Sequence, residues 1–261
     1  MWQKSRPHLA ATLASFYGVK LMTFTDHPRR LARIAGAFYV TIIVCGVFAY
    51  RHVRGELIVP ADMAQTASNV VTHERLFRLG FSAALIDTLC NLPMGWICYQ
   101  LLRVVNARLA LLAVLFITVS TAIETVNLVN YIMPLFTFTL PEYLRAFNAS
   151  EQQALARGAM RSFSYGFSVA LTFFGVYCLL TGYLIFRSKF LPAILGLMIV
   201  AAGIVYLAEN FALFLALPDI PYIVRVTFWA ESALALWLLI VGVDERQWRL
   251  QAVAAVSPVP A

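Results

Sequence analysis

The stretch LFRLGFSAALIDTLCNLPMGWICYQLL, residues Leu76–Leu102, decides the fold. At about 1.5 Å per helical residue it can cross the roughly 30 Å hydrocarbon core of a bilayer. Yet it carries Asp87 well inside it, where an isolated charge costs roughly 2.5–3.5 kcal/mol on insertion scales. Working outward, five more apolar runs appear: Ile34–Tyr50, Leu109–Met133, Ser162–Phe186, Leu191–Leu217 and Tyr222–Val243. Glu124, Glu209 and Glu231 sit inside three of them. These runs predict an all-α, polytopic membrane protein, a bundle of six transmembrane helices with its polar groups gathered at a few interior positions.

Composition agrees. Of 261 residues, 61% are hydrophobic and 13% charged, a balance that excludes a soluble domain. Six spans and short loops use nearly all the length, so no soluble catalytic module fits. The formal net charge of +7 does not signal nucleic acid, because the basic residues flank the spans as topology determinants do. The bilayer is the expected partner, and no nucleic acid is. Cys45, Cys90, Cys98 and Cys178 all fall within runs and lack metal-ligand or redox spacing, so they read as packing residues.

Three regions follow: a cytoplasmic or interfacial extension over residues 1–30, a six-helix membrane domain over 31–245, and a flexible cytoplasmic tail over 246–261. Leu9–Val19 is too short to span, and Met22 is an alternative start just ahead of the first basic flank. With the N-terminus inside, twelve of the twenty basic residues occupy the tails and the two tight turns at Arg103–Arg108 and Arg187–Lys189. The positive-inside rule therefore places both termini in the cytoplasm, with the spans in the inner (plasma) membrane. In the outer loops, Ala61–Val71 is expected as a short helix capped by Asp62. Leu135–Leu140 is expected to prolong the third helix, and Pro141–Arg157 to form a polar loop.

Helical spacing gathers the interior polar residues into stripes. Asp87 and Asn91 share one face of the second span, and Glu124 and Asn127 one face of the third. Tyr165, Tyr206, Glu209 and Glu231 continue the set on later spans, while Arg78, Arg161 and Arg225 stand at the outer mouths. Arg78 and Asp87 lie nine positions apart, about 900° of helix, and so face opposite ways. Arg78 is therefore expected to use water, headgroups or another helix. On the N-inside topology Asp87 is near mid-membrane, the three glutamates lie in the outer half, and the inner half is apolar. Tyr50, Tyr99, Tyr131, Tyr222 and Trp248 read as interface anchors. An echo links Gly80–Leu85 to Gly166–Leu171, 86 positions later, and suggests a parallel repeat of spans two and three.

Two functional classes fit. One is a cavity, opening outward, that binds a small polar or cationic ligand or relays a proton, in a transport-like or sensing role. The other is a structural or assembly protein whose buried ion pairs only fix helix packing. A lipid-acting enzyme is a third possibility, although no nucleophile elbow, zinc-protease, P-loop or diphosphate-binding motif is present. No catalytic residue, cofactor or metal site is assigned. His8, His27, His52 and His73 all lie in tails or loops.

Several short motifs occur together: Arg33-Ile34-Ala35-Gly36 with Tyr39, Arg54-Gly55-Glu56-Leu57-Ile58-Val59-Pro60, Glu74-Arg75-Leu76-Phe77-Arg78-Leu79-Gly80, Gly182–Ser188, and Phe190-Leu191-Pro192 with Ile194-Leu195-Gly196. Jointly they resemble a bacterial membrane family catalogued as domain of unknown function 4386, over about Arg30 to Val243. The resemblance implies a helical membrane protein and supplies no activity. That family's fourth span often begins with a His-Gly-Tyr-Gly-like element. Here Ser164-Tyr165-Gly166 keeps the tyrosine and glycine without the histidine, so a role resting on that histidine does not carry over.

Overall fold

The computed structural model describes residues 27–217 and 224–256. The extension through residue 26 lies outside the described residues, and with it the choice between Met1 and Met22. Tyr222 and residues 257–261 also lie outside.

Every described element is helical: α1 (Pro28–Leu57), α2 (Met63–Thr72), α3 (Glu74–Leu102), α4 (Ala107–Thr139), α5 (Pro141–Ala146), α6 (Ala149–Arg187), α7 (Ala193–Phe214), α8 (Val224–Ile240) and α9 (Glu245–Val256). Five of them, α1, α3, α4, α6 and α7, are long and apolar enough to cross a membrane. Counting α8 with α9 as one bent span raises the number to six. Their outer walls are apolar and open, with Leu89 exposed to 61% and Val126 to 74%. Such a belt would be a liability in water and is what hydrocarbon solvates.

The long helices form a closed ring in chain order. α1 packs on α3, α3 on α4, α4 on α6, α6 on α7, α7 on α8, and α8 returns to α1. Short connections force neighbours to run antiparallel. Asn106 caps α4 by accepting from the Leu109 amide at 3.1 Å. Asp62 caps α2 by accepting from the Gln65 amide at 2.9 Å, which makes the short helix that the cap foretold. Helix α4 does run on through Leu135 to Thr139.

Two expectations change. Pro141–Arg157 is helical rather than a loop, split between α5 and the start of α6. The reason is a capping box: Asn148 accepts from the Glu151 amide at 3.0 Å, while the Glu151 carboxylate accepts from the Asn148 amide at 2.8 Å. This reciprocal pair satisfies first-turn donors and starts the helix well before its apolar run. Residues 246–256 of the expected flexible tail are helical as well. Gly242 adopts φ +78° and ends α8 in the left-handed conformation, after which α9 departs at 99°. Trp248 on α9 is buried and donates its indole N–H to the Leu101 carbonyl at 3.0 Å.

Apolar side chains collect in two separate cores. One, toward the α9 end, contains Ala35, Met94, Ile117, Tyr177, Ala202 and Ala230. The other, toward the end that carries Leu57, contains Ala49, Val53, Ala84, Leu128, Tyr131 and Phe163. On α1, α3, α4 and α6 the break between these cores falls at the same level. The interior polar residues lie there.

Candidate functional site

The break holds a cavity of about 330 Å³ whose walls include Asp87, Asn91, Glu124, Tyr206 and Glu231. These five come from α3, α4, α7 and α8, so the ring brings together residues that are distant in sequence. Helices α1 and α6 supply much of the remaining wall. Tyr39, Gly46 and Tyr50 line the cavity from that side, and Tyr50 belongs to a π-helical segment, Val47–Val53. Such wider turns occur often at functional sites.

Tyrosine hydroxyls, rather than cations, meet the carboxyl groups. Tyr50 donates to Glu124 Oε1 at 2.9 Å. Tyr39 donates to Glu231 Oε2 at 3.2 Å, and Tyr206 donates to Glu231 Oε1. Asp87 is buried and accepts from the Asn91 amide at 3.3 Å on its own helix. The Thr121 hydroxyl also lines the cavity, is buried, and has no hydrogen-bond partner among the described residues. Phe167 and Phe174 complete a wall that is mainly apolar. Among the described residues, no three His, Cys, Asp or Glu side chains are placed to hold a metal ion.

Among the described residues, the ion pairs expected under the packing alternative are not found around these acids. Ion pairs do occur elsewhere, at His52–Glu56 and Arg78–Glu74, both exposed and one turn apart on a single helix. Arg78 thus bonds Glu74 at 2.7 Å, which corrects the expectation that it must look beyond its own helix. Arg78 does face away from Asp87, and Glu74 stands one turn earlier on the same face as Arg78.

Other expected site residues lie elsewhere. Asn127 is buried and donates to the Phe163 carbonyl at 2.8 Å, tying α4 to α6. Tyr165 and Arg161 are exposed and line a second cavity. Glu209 is half-buried on α7, outside the carboxylate cavity. The side chain of Arg225 lies outside the described residues.

Tyr50 and Tyr131 are interior residues and not interface anchors. Tyr131 is fully buried and donates to the Ala49 carbonyl at 3.2 Å. An aromatic near the end of an apolar run resembles an anchor when read alone, because burial depends on neighbouring helices. Tyr39 and Tyr50 are therefore the site residues that the stripes did not single out. For Tyr39 and Tyr50 a signal existed, their eleven-residue spacing on one helix, about three turns.

An all-helical ring of long apolar helices around an interior polar cavity is a multi-pass membrane protein. The chain belongs to the family described as Domain of unknown function (DUF4386), whose model matches residues 34–242. No curated protein and no solved structure matches it.

Proposed function

We propose that the cavity binds a small organic cation, an ammonium group on a compact body, within a six-span protein of the bacterial inner membrane. Both termini are cytoplasmic in this reading, and the cavity opens toward the outer face in a transport-like or sensing role. One observation carries it. Asp87, Glu124 and Glu231 line one cavity, and no cation among the described residues pairs with them.

Three features support the ligand class. The carboxyl groups line different walls without converging on one point, which suits a molecule better than a bare ion. Aromatic faces from Tyr50, Phe167 and Phe174 offer cation–π contact. The volume of about 330 Å³ lies at the small end of ligand pockets. The exposed Arg51 at the cavity margin marks the end of α1 that is outermost on the N-inside topology.

The competing reading is structural: the tyrosine–carboxyl bonds only lock the ring. Thermal unfolding of the purified protein with tetramethylammonium, choline, putrescine and spermidine separates the two. At about 100 times its Kd, a bound compound adds ~2.7 kcal/mol. We expect at least one to raise the unfolding midpoint of the wild type. Asp87→Asn, Glu124→Gln and Glu231→Gln should still fold and lose the response. Amide variants that fold poorly, together with a wild type indifferent to all four compounds, would leave the structural reading in place.

A further inference from the structure

The second cavity, of about 470 Å³, is basic where the first is acidic. Arg54, Arg157 and Arg161 line it together with Ser164 and Tyr165. None of the three arginines takes part in a described ion pair. Arg157 and Arg161 stand one turn apart on α6, a like-charge spacing that disfavours the helix unless an anion intervenes.

Arg54 is the informative member. Its guanidinium carbon lies 4.1 Å from the centre of the Phe163 ring and 5.2 Å from that of Tyr131. The stacking fixes the plane of the fork while leaving its N–H groups to be satisfied at the edge. Its Nη1 is nevertheless buried and has no hydrogen-bond partner among the described residues. A buried cationic donor without an acceptor is costly. A ligand that supplies acceptor oxygens would remove that cost.

We propose that this cavity binds a phosphate group. Several acceptor oxygens on one tetrahedral centre match a fixed guanidinium fork, two further arginines and the Tyr165 hydroxyl. The location narrows the source. Arg54 ends the first long helix, Arg161 immediately precedes the apolar run of α6, and Leu213, also in the wall, lies at the end of α7. The cavity therefore sits at the rim of the apolar belt, where lipid phosphates lie. Apolar wall residues Ile58, Met63 and Leu213 suit the glycerol and first methylenes of a lipid, and a free phosphate would share the polar contacts alone. The inference is independent of the carboxylate cavity, none of whose acids lines this one.

Native mass spectrometry of the full-length protein in an uncharged maltoside detergent tests it. The probes are phosphatidylglycerol, phosphate-free diacylglycerol and inorganic phosphate. The variant is Arg157→Gln/Arg161→Gln, whose side chains are both exposed in the wild type, with the single Arg161→Gln as a second arm should the double change impair folding. We expect phosphatidylglycerol to bind the wild type and to bind the double variant at least about tenfold more weakly, with no diacylglycerol adduct. The same loss seen for inorganic phosphate but not for the lipid would keep the phosphate site and assign the free ion as its source. Equal binding of every probe to wild type and variants, or no binding at all, would overturn the proposal.

Discussion

Glu231 shows how a single acidic side chain is accommodated in an apolar ring. Its two oxygens accept from hydroxyls on two different helices, Tyr39 on α1 and Tyr206 on α7, so the residue joins three helices at once. Removing one donor leaves a half-satisfied acceptor in a poorly solvated place, at a cost of roughly 1–3 kcal/mol. Tyr206→Phe is expected to lower stability by about that much, read from unfolding in mixed micelles. Combined with Glu231→Gln, the two losses should fail to add, with a coupling of roughly 0.5–3 kcal/mol. Strict additivity would show that the bond contributes nothing. Of this arrangement the sequence made Asp87, Glu124 and Glu231 legible, because a carboxyl group inside an apolar run is conspicuous by itself. Of their donors, Asn91 and Tyr206 were legible in the polar stripes but Tyr39 and Tyr50 were not, since a tyrosine is at home at an interface or in a core and only the neighbouring helices select between them.

At the level of elements, the contact between α6 and α7 depends on glycine. A methyl on Gly182 would lie 2.8 Å from the Gly196 carbonyl oxygen, and one on Gly196 would lie 2.7 Å from the Gly182 oxygen. The two backbones therefore touch, as small residues permit between membrane helices. Gly182→Val is expected to force the pair apart and cost roughly 1–3 kcal/mol or more, seen as a lower unfolding midpoint. Gly158→Val on the same helix meets nothing within 4 Å and serves as the control, with only the ordinary propensity change expected. A second device closes the ring. Arg29 and Arg33 on α1 donate to the Val241 and Ile240 carbonyls at 3.0 and 3.1 Å, capping the end of α8. In sequence these arginines read as topology signals, and the fold uses them for a contact across more than 200 positions. Replacing both with glutamine should weaken the α1–α8 closure, measurable as earlier proteolysis at the start of α9.

For the whole molecule, the outstanding expectation is the orientation. A reporter fused after Arg187 should signal from the cytoplasm, and one fused after Asp219 from outside. A cytoplasmic signal from both would remove the six-span reading and with it the outward cavity. The apolar runs, their lengths and the acids inside them were determined by the sequence alone. Hydrocarbon demands internally bonded backbone over about 20 residues, and that demand is written locally. Family membership was legible for the same reason, being carried by short contiguous motifs. Only the tertiary structure decided that the helices close into a ring in chain order. It alone decided that two apolar cores leave a gap at one level, and that Glu124 and Glu231 enter it while Asn127 and Glu209 do not. It also set Arg54 against Phe163 and Tyr131 with one buried nitrogen unmet. These outcomes depend on helix rotation and neighbour choice, which arise from side-chain packing between distant segments, and no single helix encodes them.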